Sequence, residues 1–497
     1  MVARSDQGLA PARGADLTIG YLGVMCILVG CMLLVPLAIL PFYPYEAYLA
    51  PCFLVPAVVV AVVGWLLQLR IAGREKGRLH KGQDAVVIVL TWLLAMFVGS
   101  IPFLLSGACD TFTQAVFETM SGLSTTTLTV VDVASCPHVI LFYRSVLLFF
   151  GGIGLVLIMV SAVSDSRGMR LYSVEGHVDR LLPNMAHSAR LIMSIYCSFV
   201  GVGTLALMAA GMGPFDALNH AIGAISTGGF STRAGNVGEF NSVAVEFVMV
   251  VLMILGGTNC ALHLVILKGH VKAWARDVEC RMYFGCIGVG TLVMTTILVC
   301  QGTCPTLFDG FRIALFQVVS AVTTTGYQTV PSLAGWPQAA QLLIIVLMVF
   351  GSESDSTGGG IKQWRVAVLA RMCWWTVRDR VTHRRCVHND VVERLGRRVS
   401  VDAEEREGVL AYALVYLVSI ILGTFVFTLC GYSIGDSLFE FTSALGTVGF
   451  SAGIATASAS PVILWTTIIG MFIGRLEIFP VLIALTRGAR LLQGRAK

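Results

Sequence analysis

Backbone carbonyl and hydroxyl oxygens bind dehydrated monovalent cations, and one stretch of the sequence is rich in both. Residues 321–330 are Ala-Val-Thr-Thr-Thr-Gly-Tyr-Gln-Thr-Val. The threonine hydroxyls would supply oxygen ligands, and Gly326 would supply the positive φ angle that a loop of inward-facing carbonyls needs. Threonine-rich turns are common, so this string predicts a cation-binding loop only if the rest of the chain supports it.

Related strings occur at three other places in the chain. With Gly326 as the reference position, the corresponding residues are Thr127, Gly229 and Gly449. These positions follow one another at intervals of about a hundred residues, which indicates an internal repeat. The predicted ion-binding residues are the four reference residues and the two residues before each of them: Thr125, Thr126, Thr127, Thr227, Gly228, Gly229, Thr324, Thr325, Gly326, Thr447, Val448 and Gly449.

Three further sets of residues keep the same order in every repeat. A polar residue stands nine positions before each reference residue, an aspartate precedes each short helix, and a glycine follows each loop. We expect the polar residues to brace the loops, with ion contact as the alternative. We expect the aspartates to cap helices or to attract cations, and the glycines to kink helices. In chain order the sets are Glu118, His220, Gln317 and Glu440; Asp110, Asp216, Asp309 and Asp436; and Gly152, Gly257, Gly351 and Gly474.

The composition places these loops in a membrane. The 497 residues are 56% hydrophobic and 13% charged, with a mean hydropathy of +0.81, whereas about 25% of residues are charged in soluble domains. About 20 apolar residues cross a bilayer, and a shorter apolar segment followed by a polar loop is typical of a re-entrant loop surrounded by protein or water. We predict an all-α integral membrane protein of about ten transmembrane helices, with four pseudo-symmetric helix–pore loop–helix repeats around one central pore.

Hydropathy and charge divide the chain into five parts. Because lysine and arginine are concentrated in loops on one side, both termini are predicted to be cytoplasmic. The basic loop 371–406 is expected to contact lipid headgroups or, alternatively, a regulatory protein. The predicted parts are 1–84, a tail and two extra transmembrane helices; 85–189, 190–281 and 282–406, the first three repeats; and 407–497, the fourth repeat with a cytoplasmic C-terminus.

The third repeat is interrupted by a polar, glycine-rich run that cannot continue a lipid-facing helix. We expect it to line the cavity below the loops as a movable barrier, with a static turn as the alternative. Glu353 and Asp355 within it require partners or water at membrane depth. The predicted gate consists of this run, a nearby lysine and one arginine of the last span: Gly351, Ser352, Glu353, Ser354, Asp355, Ser356, Thr357, Gly358, Gly359, Gly360, Lys362 and Arg475.

Arg475 is a cation inside an apolar span and therefore a functional candidate. It would raise an electrostatic barrier or pair with the acidic run, and a structural pair with Glu477 is the alternative. Arg144 is expected at the outer end of its span, at the interface or bracing a loop. Disulfides between Cys109 and Cys136, or between Cys300 and Cys304, remain open.

The sequence contains no nucleophile–base set, metal-ligand spacing or phosphate loop, so we predict neither an enzyme nor a nucleic-acid-binding protein. A non-conducting membrane scaffold is a remote alternative.

Several of these motifs together resemble the Trk/Ktr/HKT superfamily of potassium transporters, and within it the TrkH-type subunit. The resemblance covers residues 85–490. It implies potassium uptake across the cytoplasmic (inner) membrane through a selectivity filter, gated by the loop of the third repeat and by Arg475. The motifs are Ser226-Thr-Gly-Gly-Phe-Ser-Thr232, Thr323-Thr-Thr-Gly-Tyr327, Ser356-Thr-Gly-Gly-Gly-Ile-Lys362, Ser443-Ala-Leu-Gly-Thr-Val-Gly-Phe450 and Gly474-Arg-Leu-Glu477.

The resemblance also implies partners. It predicts a homodimer in membrane lipids and a cytoplasmic nucleotide-binding ring of the TrkA/KtrA type. Potassium is then the substrate, no covalent cofactor is expected, and nucleotide binds only the partner ring.

The sequence departs from the family pattern at two places. Thr127 stands where the family has glycine, and because a β-branched residue resists positive φ, we expect weaker selectivity for potassium over sodium. Glu353 and Asp355 stand where relatives usually carry small neutral residues. The gating details of the family therefore do not transfer directly to this chain.

Overall fold

The computed structural model describes residues 15–70, 83–155, 185–267, 269, 271–382 and 390–492. The predicted N-terminal tail, the basic link at 71–82, the polar stretch at 156–184, part of the basic loop (383–389) and the last five residues lie outside the described residues.

The described chain is mostly helical. Short 3-10 turns occupy Val35–Ile39, Pro44–Leu49 and Asn236–Phe240. The α-helices are α1 (Ala15–Leu34), α2 (Ala50–Leu69), α3 (Gln83–Gly99), α4 (Ile101–Leu105), α5 (Phe112–Leu123), α6 (His138–Ile153), α7 (Met185–Ala209), α8 (Pro214–Ile225), α9 (Val243–Gly257), α10 (Cys260–Leu267), α11 (Val271–Arg276), α12 (Val278–Cys300), α13 (Leu307–Val322), α14 (Gln338–Phe350), α15 (Gln363–Val381), α16 (Ala403–Leu429), α17 (Ile434–Leu445), α18 (Pro461–Arg475) and α19 (Phe479–Leu492).

Many of these helices are apolar and long enough to cross a bilayer. Among the described residues, 6 helices meet this condition, or up to 8 if α9 with α10 and α18 with α19 each form one span. These two pairs bend by 104° and 106° at their breaks. Helices α6 and α14 are apolar but shorter. The protein is therefore an integral membrane protein.

The prediction of an all-α chain is wrong at one place, inside the predicted basic loop 371–406. Helix α15 continues to Val381, and an antiparallel hairpin follows, with strands β1 (Val391–Arg394) and β2 (Arg397–Ser400). Its two turn residues, Leu395 and Gly396, have φ of 48° and 75°. Positive φ at both positions matches the twist of a tight hairpin.

Four short helices, α5, α8, α13 and α17, each precede one of the predicted loops. Three begin with a hydroxyl cap, as at Ser433, which accepts a hydrogen bond from the amide of Asp436 at 3.1 Å. The prediction that the aspartates are the caps is wrong: Asp216, Asp309 and Asp436 lie in the first turns, and Asp110 precedes the cap. Carboxylates in a first turn still favour the positive end of the helix dipole. The hydroxyl caps are Thr111, Thr306 and Ser433.

The glycines that follow the loops lie where helices end, so the predicted kinks are breaks. Helices α6, α9, α14 and α18 end at or beside them. Neighbouring glycines make close packing possible there. A Cβ on Gly256 would lie 2.7 Å from the carbonyl oxygen of Ile225, the last residue of α8, and a Cβ on Gly151 or Gly474 would clash with the carbonyl of Leu123 or Leu445. The broken helices thereby pack against the C-terminal ends of three short helices.

Candidate functional site

The four loops that follow the short helices meet in a closed ring. The hydroxyl of Thr127 accepts a hydrogen bond from the amide of Gly229 at 2.9 Å, which joins the first loop to the second. A Cβ on Gly229 would lie 2.6 Å from the carbonyl oxygen of Thr325, so the second loop touches the third.

The ring closes through the third and fourth loops. A Cβ on Gly326 would clash with the carbonyl of Val448, and one on Gly449 would clash with that of Thr126. In three of the four junctions, therefore, the reference residue meets the carbonyl that precedes the reference position of the next loop. The structure brings all four predicted triplets together in chain order.

The residues with positive φ angles in these loops are only in part the ones that the sequence predicted. Thr127 has φ of 65°, so its backbone adopts a positive φ angle despite the β-branch, against expectation. Gly326 and Gly449 also have positive φ, whereas Gly229 does not. The position with positive φ in all four loops is a threonine two residues before the reference residue, with φ of 61°, 51°, 55° and 52° at Thr125, Thr227, Thr324 and Thr447.

These threonines occupy the position after a helix end where glycine is usual. In the first loop, the amide of Thr125 bonds the carbonyl of Gly122 at 3.1 Å and the next amide, of Thr126, bonds that of Ser121 at 3.0 Å. This pair of bonds is a Schellman motif, and the other three loops repeat the second bond at 2.8–2.9 Å. A left-handed β-branched residue costs of order 1–3 kcal/mol. Two hydrogen bonds per loop and dense packing offset it.

A vestibule of about 170 Å³ lies on one side of the ring. The four reference residues, Arg144, Arg233 and Gln328 contribute to its lining. Both arginines are paired with acids: Arg144 with Glu118 at 2.8 Å, and Arg233 with Asp216 at 2.8 Å. Each of these guanidinium groups therefore has a carboxylate partner.

The polar residues nine positions before the ring brace the loops. Glu118 accepts hydrogen bonds from the hydroxyl of Thr129 at 3.0 Å and the amide of Val130 at 3.0 Å. Glu440 accepts from the hydroxyl of Ser451 at 3.0 Å and the amide of Ala452 at 2.6 Å. Both carboxylates are fully buried.

The other two repeats brace their loops with neutral groups. The His220 Nε2 lies 3.0 Å from the hydroxyl of Ser231, and the Gln317 amide donates to Thr329 at 3.4 Å. In each repeat, these contacts join the short helix to a residue just after the ring. The geometry agrees with the expected bracing role.

Arg144 is buried and braces two loops at once. Besides pairing with Glu118, its guanidinium donates to the carbonyl of Ser231 at 3.3 Å and lies 3.9 Å from the centre of the Phe230 ring. It therefore links the first loop to the second, and the interface alternative does not describe it.

The polar run of the third repeat, here called the intramembrane segment (residues 351–362), lies against the bases of the loops that form the ring. The amide of Gly359 donates to the hydroxyl of Thr324 at 2.8 Å. A Cβ on Gly359 would clash with the hydroxyl of Thr447. The Thr357 hydroxyl lies 3.0 Å from the carbonyl of Ile225. The segment thus contacts three of the four loop bases.

The acidic residues of this segment are buried. The Glu353 carboxylate accepts a hydrogen bond from the amide of Asn259 at 2.8 Å and one from the thiol of Cys280 at 3.2 Å. The carbonyl of Asp355, which has φ of 55°, accepts a bond of 3.4 Å from the amide of Cys260. These contacts hold the segment against α10 and α12.

Arg475 connects the intramembrane segment to the first repeat. Its guanidinium donates to the carbonyl of Thr357 at 2.7 Å, to that of Gly152 at 3.0 Å and to that of Gly151. The Glu477 carboxylate pairs with Lys362 at 3.4 Å and Arg365 at 2.5 Å. The ends of two broken helices and the segment therefore form one polar cluster beneath the ring.

The cysteines in the two pairs that could have formed disulfides are all free thiols. In the part of the chain that the structure describes, no group of three or more histidine, cysteine or acidic side chains could hold a metal ion.

Comparison with known proteins identifies the family. The family model described as TrkH, cation transport protein, matches residues 59–489. The Trk system potassium uptake protein TrkH of Salmonella typhimurium is 34% identical over 435 residues, which are 83% of this chain and 87% of the relative. An uncharacterized cation transporter of Methanocaldococcus jannaschii is 29% identical over 466 residues, 93% of both chains.

A solved structure agrees with these relatives. The crystal structure of the potassium transporter TrkH from Vibrio parahaemolyticus has a TM-score of 0.84 and 27% sequence identity, and the match covers 96% of this chain and 99% of that one. The relatives are transporters and not enzymes. With a family model that spans most of its length, this chain belongs to the TrkH family of cation transport proteins.

Proposed function

We propose that the protein takes up potassium through the ring of four loops, which acts as its selectivity filter. The observation that carries this proposal is the closed contact order of the ring, with backbone meeting backbone at three junctions and the Thr127 hydroxyl meeting the Gly229 amide at the fourth. Converging carbonyl oxygens replace the hydration shell of a cation. The twelve predicted filter residues are those of the four triplets from Thr125 to Gly449. The similarity to a potassium uptake protein and to a potassium transporter supports this assignment.

The proposed topology has ten spans. It adds α6 and α14 to the long helices and the two bent pairs, and it groups them into four helix–pore loop–helix repeats with the residue limits predicted above. Both termini then face the cytoplasm and the protein lies in the inner membrane. The short helices point their negative ends at the ring, which favours a cation there.

The proposed gate is the intramembrane segment together with Arg475. Three observations support it: the segment lies against the loop bases, its residues are small or polar, and Arg475 anchors it through the carbonyl of Thr357. Opening would require the Gly359–Thr324 and Thr357–Arg475 contacts to separate.

The proposed assembly is a homodimer in lipid that binds a nucleotide-binding ring of the TrkA/KtrA type in the cytoplasm. The similarity to a protein of the Trk system supports a multi-component assembly. Potassium is the substrate, and nucleotide would act through the ring partner.

Complementation tests transport directly. Cells that lack potassium uptake, supplied with this gene, are expected to grow at limiting external potassium, with or without a co-expressed ring partner. No growth in either case, with normal membrane expression, would contradict the proposal and favour a non-conducting scaffold.

The second candidate function is a cation transporter that passes sodium as well as potassium. The observation that favours it is Thr127, which puts a side chain into a ring position where glycine stands in the other three loops. Replacing Thr127→Gly is expected to raise the ratio of potassium to sodium flux in proteoliposomes. An unchanged ratio would remove this candidate.

A further inference from the structure

The β-hairpin contacts two helix starts that lie next to the intramembrane segment, those of α12 and α15. The backbone amide of Leu395 donates a hydrogen bond to the Asp277 carboxylate at 2.7 Å. The guanidinium of Arg394 lies 4.5 Å from the centre of the Trp364 ring. Trp364 stands two residues after the segment ends, in the first turn of α15. The tip of the hairpin therefore contacts both the start of α12 and the start of α15.

The start of α12 carries this contact to the segment itself. Asp277 caps the helix through its other carboxylate oxygen, which accepts from the amide of Glu279 at 2.8 Å. The Glu279 carboxylate then accepts from the amide of Ser354 at 3.3 Å, and the neighbouring Cys280 thiol donates to Glu353 at 3.2 Å. All of these acids are buried. One helical turn therefore separates the hairpin from two residues of the segment.

The hairpin is fixed to the surrounding helices. At its base, Asp390 pairs with Arg378 of α15 at 2.9 Å and with Arg406 of α16 at 2.9 Å. Val392 is buried in an apolar cluster with Trp364 and other residues of α15. The hairpin is therefore joined by specific contacts to the start of α12 and to α15 and α16.

We propose that Asp277 is a positioning residue through which the hairpin holds the intramembrane segment in place, so that displacement of the hairpin changes ion flow. This inference rests on the proposed role of the segment as the gate. When the Leu395 amide leaves Asp277, the first turn of α12 loses its tie to the hairpin. Ser354 and Glu353 then lose fixed partners.

Replacing Asp277→Asn leaves this side chain with one acceptor oxygen where the structure uses two. The helix cap and the Leu395 hydrogen bond can then no longer both be kept, because an amide nitrogen cannot accept. Backbone amides of residues 351–362 are expected to exchange hydrogen about tenfold faster, as follows from losing a hydrogen bond to a charged group. Potassium flux through the reconstituted protein is expected to rise severalfold, with an unchanged ratio of potassium to sodium flux.

Asp402→Asn is the matched control. Asp402 caps α16 by accepting from the amide of Glu405 at 2.8 Å, and the same substitution should leave exchange of the segment unchanged. If Asp277→Asn accumulates poorly, Arg394→Gln removes the contact with Trp364 and is expected to give a weaker form of the same response.

Two results would overturn the inference. One is faster exchange in residues 390–400 without any change in 351–362, because the hairpin would then be uncoupled from the segment. The other is faster exchange in 351–362 at unchanged flux. A wild-type protein that carries no potassium would instead count against the proposed function, while the exchange data would still report on the coupling.

Discussion

The first and fourth loops each bury a glutamate at the same position of the repeat, but the two carboxylates are compensated differently. Glu118 has a cationic partner, Arg144, at 2.8 Å. Glu440 is held by the hydroxyl of Ser451 and by the amides of Ala452 and Ala455. The fourth loop is therefore braced within itself, whereas the first depends on a side chain that also holds the second loop.

The same bracing role is therefore filled by an ion pair in the first repeat and by neutral hydrogen-bond donors in the fourth. A buried carboxylate needs donors, and either backbone amides or a guanidinium can supply them. A buried ion pair adds a risk, because removing one partner leaves an uncompensated charge. We therefore expect loss of the glutamate to disturb two loops in the first repeat but only one loop in the fourth.

The largest effect is expected for Glu118→Gln. The substitution leaves Arg144 buried without its carboxylate, and the expected loss of stability is about 3 kcal/mol. It should appear as a lower melting temperature of the purified protein in detergent and as weaker order in both the first and second loops.

The double variant Glu118→Gln with Arg144→Met is the control for this comparison. It removes both charges and should recover part of the lost stability. The ion-pair explanation would be contradicted if the double variant lost more unfolding free energy than the two single variants lose together.

A smaller effect is expected for Glu440→Gln. The amide nitrogen of glutamine cannot accept from backbone amides, so the fourth loop loses part of its bracing, at about 2 kcal/mol. Hydrogen exchange should increase in residues 451–455 and stay at its wild-type rate in the second loop. Exchange that also rises around Ser231 would show that the fourth loop is not braced within itself.

The smallest effect on stability is expected for Thr127→Val, at about 1 kcal/mol. Valine keeps the β-branched shape at a positive φ angle but removes the hydroxyl that accepts from Gly229, which leaves a buried amide without its partner. The measurements are melting temperature and potassium-to-sodium flux ratio. Thr127→Ser, which keeps the hydroxyl, is the control, and equal flux ratios in the two variants would show that the hydroxyl does not set selectivity.

The repeated order of the chain made much of the site predictable. A polar residue nine positions before each reference residue could be found because its spacing from the loop is constant in all four repeats. The bracing role followed because a polar group in an apolar short helix needs a partner. The glycines after each loop were recognisable for the same reason, although they end helices where kinks were expected.

The wrong predictions concern backbone conformation, which side-chain type alone does not determine. The left-handed position was assigned to the glycines, whereas the column shared by all four loops consists of threonines, from Thr125 to Thr447. Intrinsic preference argues against this placement, and the hydrogen bonds at the helix ends override it. The hairpin was missed because it lies in a charged stretch and because its turn, Leu395-Gly396, lacks the Asn-Gly or Asp-Gly pair that marks a tight hairpin in a sequence.

By itself, the sequence determined that this protein lies in a membrane and contains four related loops, because hydrophobicity and spacing are properties of the chain read in order. The transport function was implied by the resemblance of its motifs to a family of potassium transporters. Only the tertiary structure decided which oxygens and amides meet. Thr127 bonds Gly229, Arg475 reaches three carbonyls of two other repeats, and the hairpin turn contacts Asp277. These contacts join residues about a hundred or more positions apart, and packing of the whole bundle brings them within bonding distance.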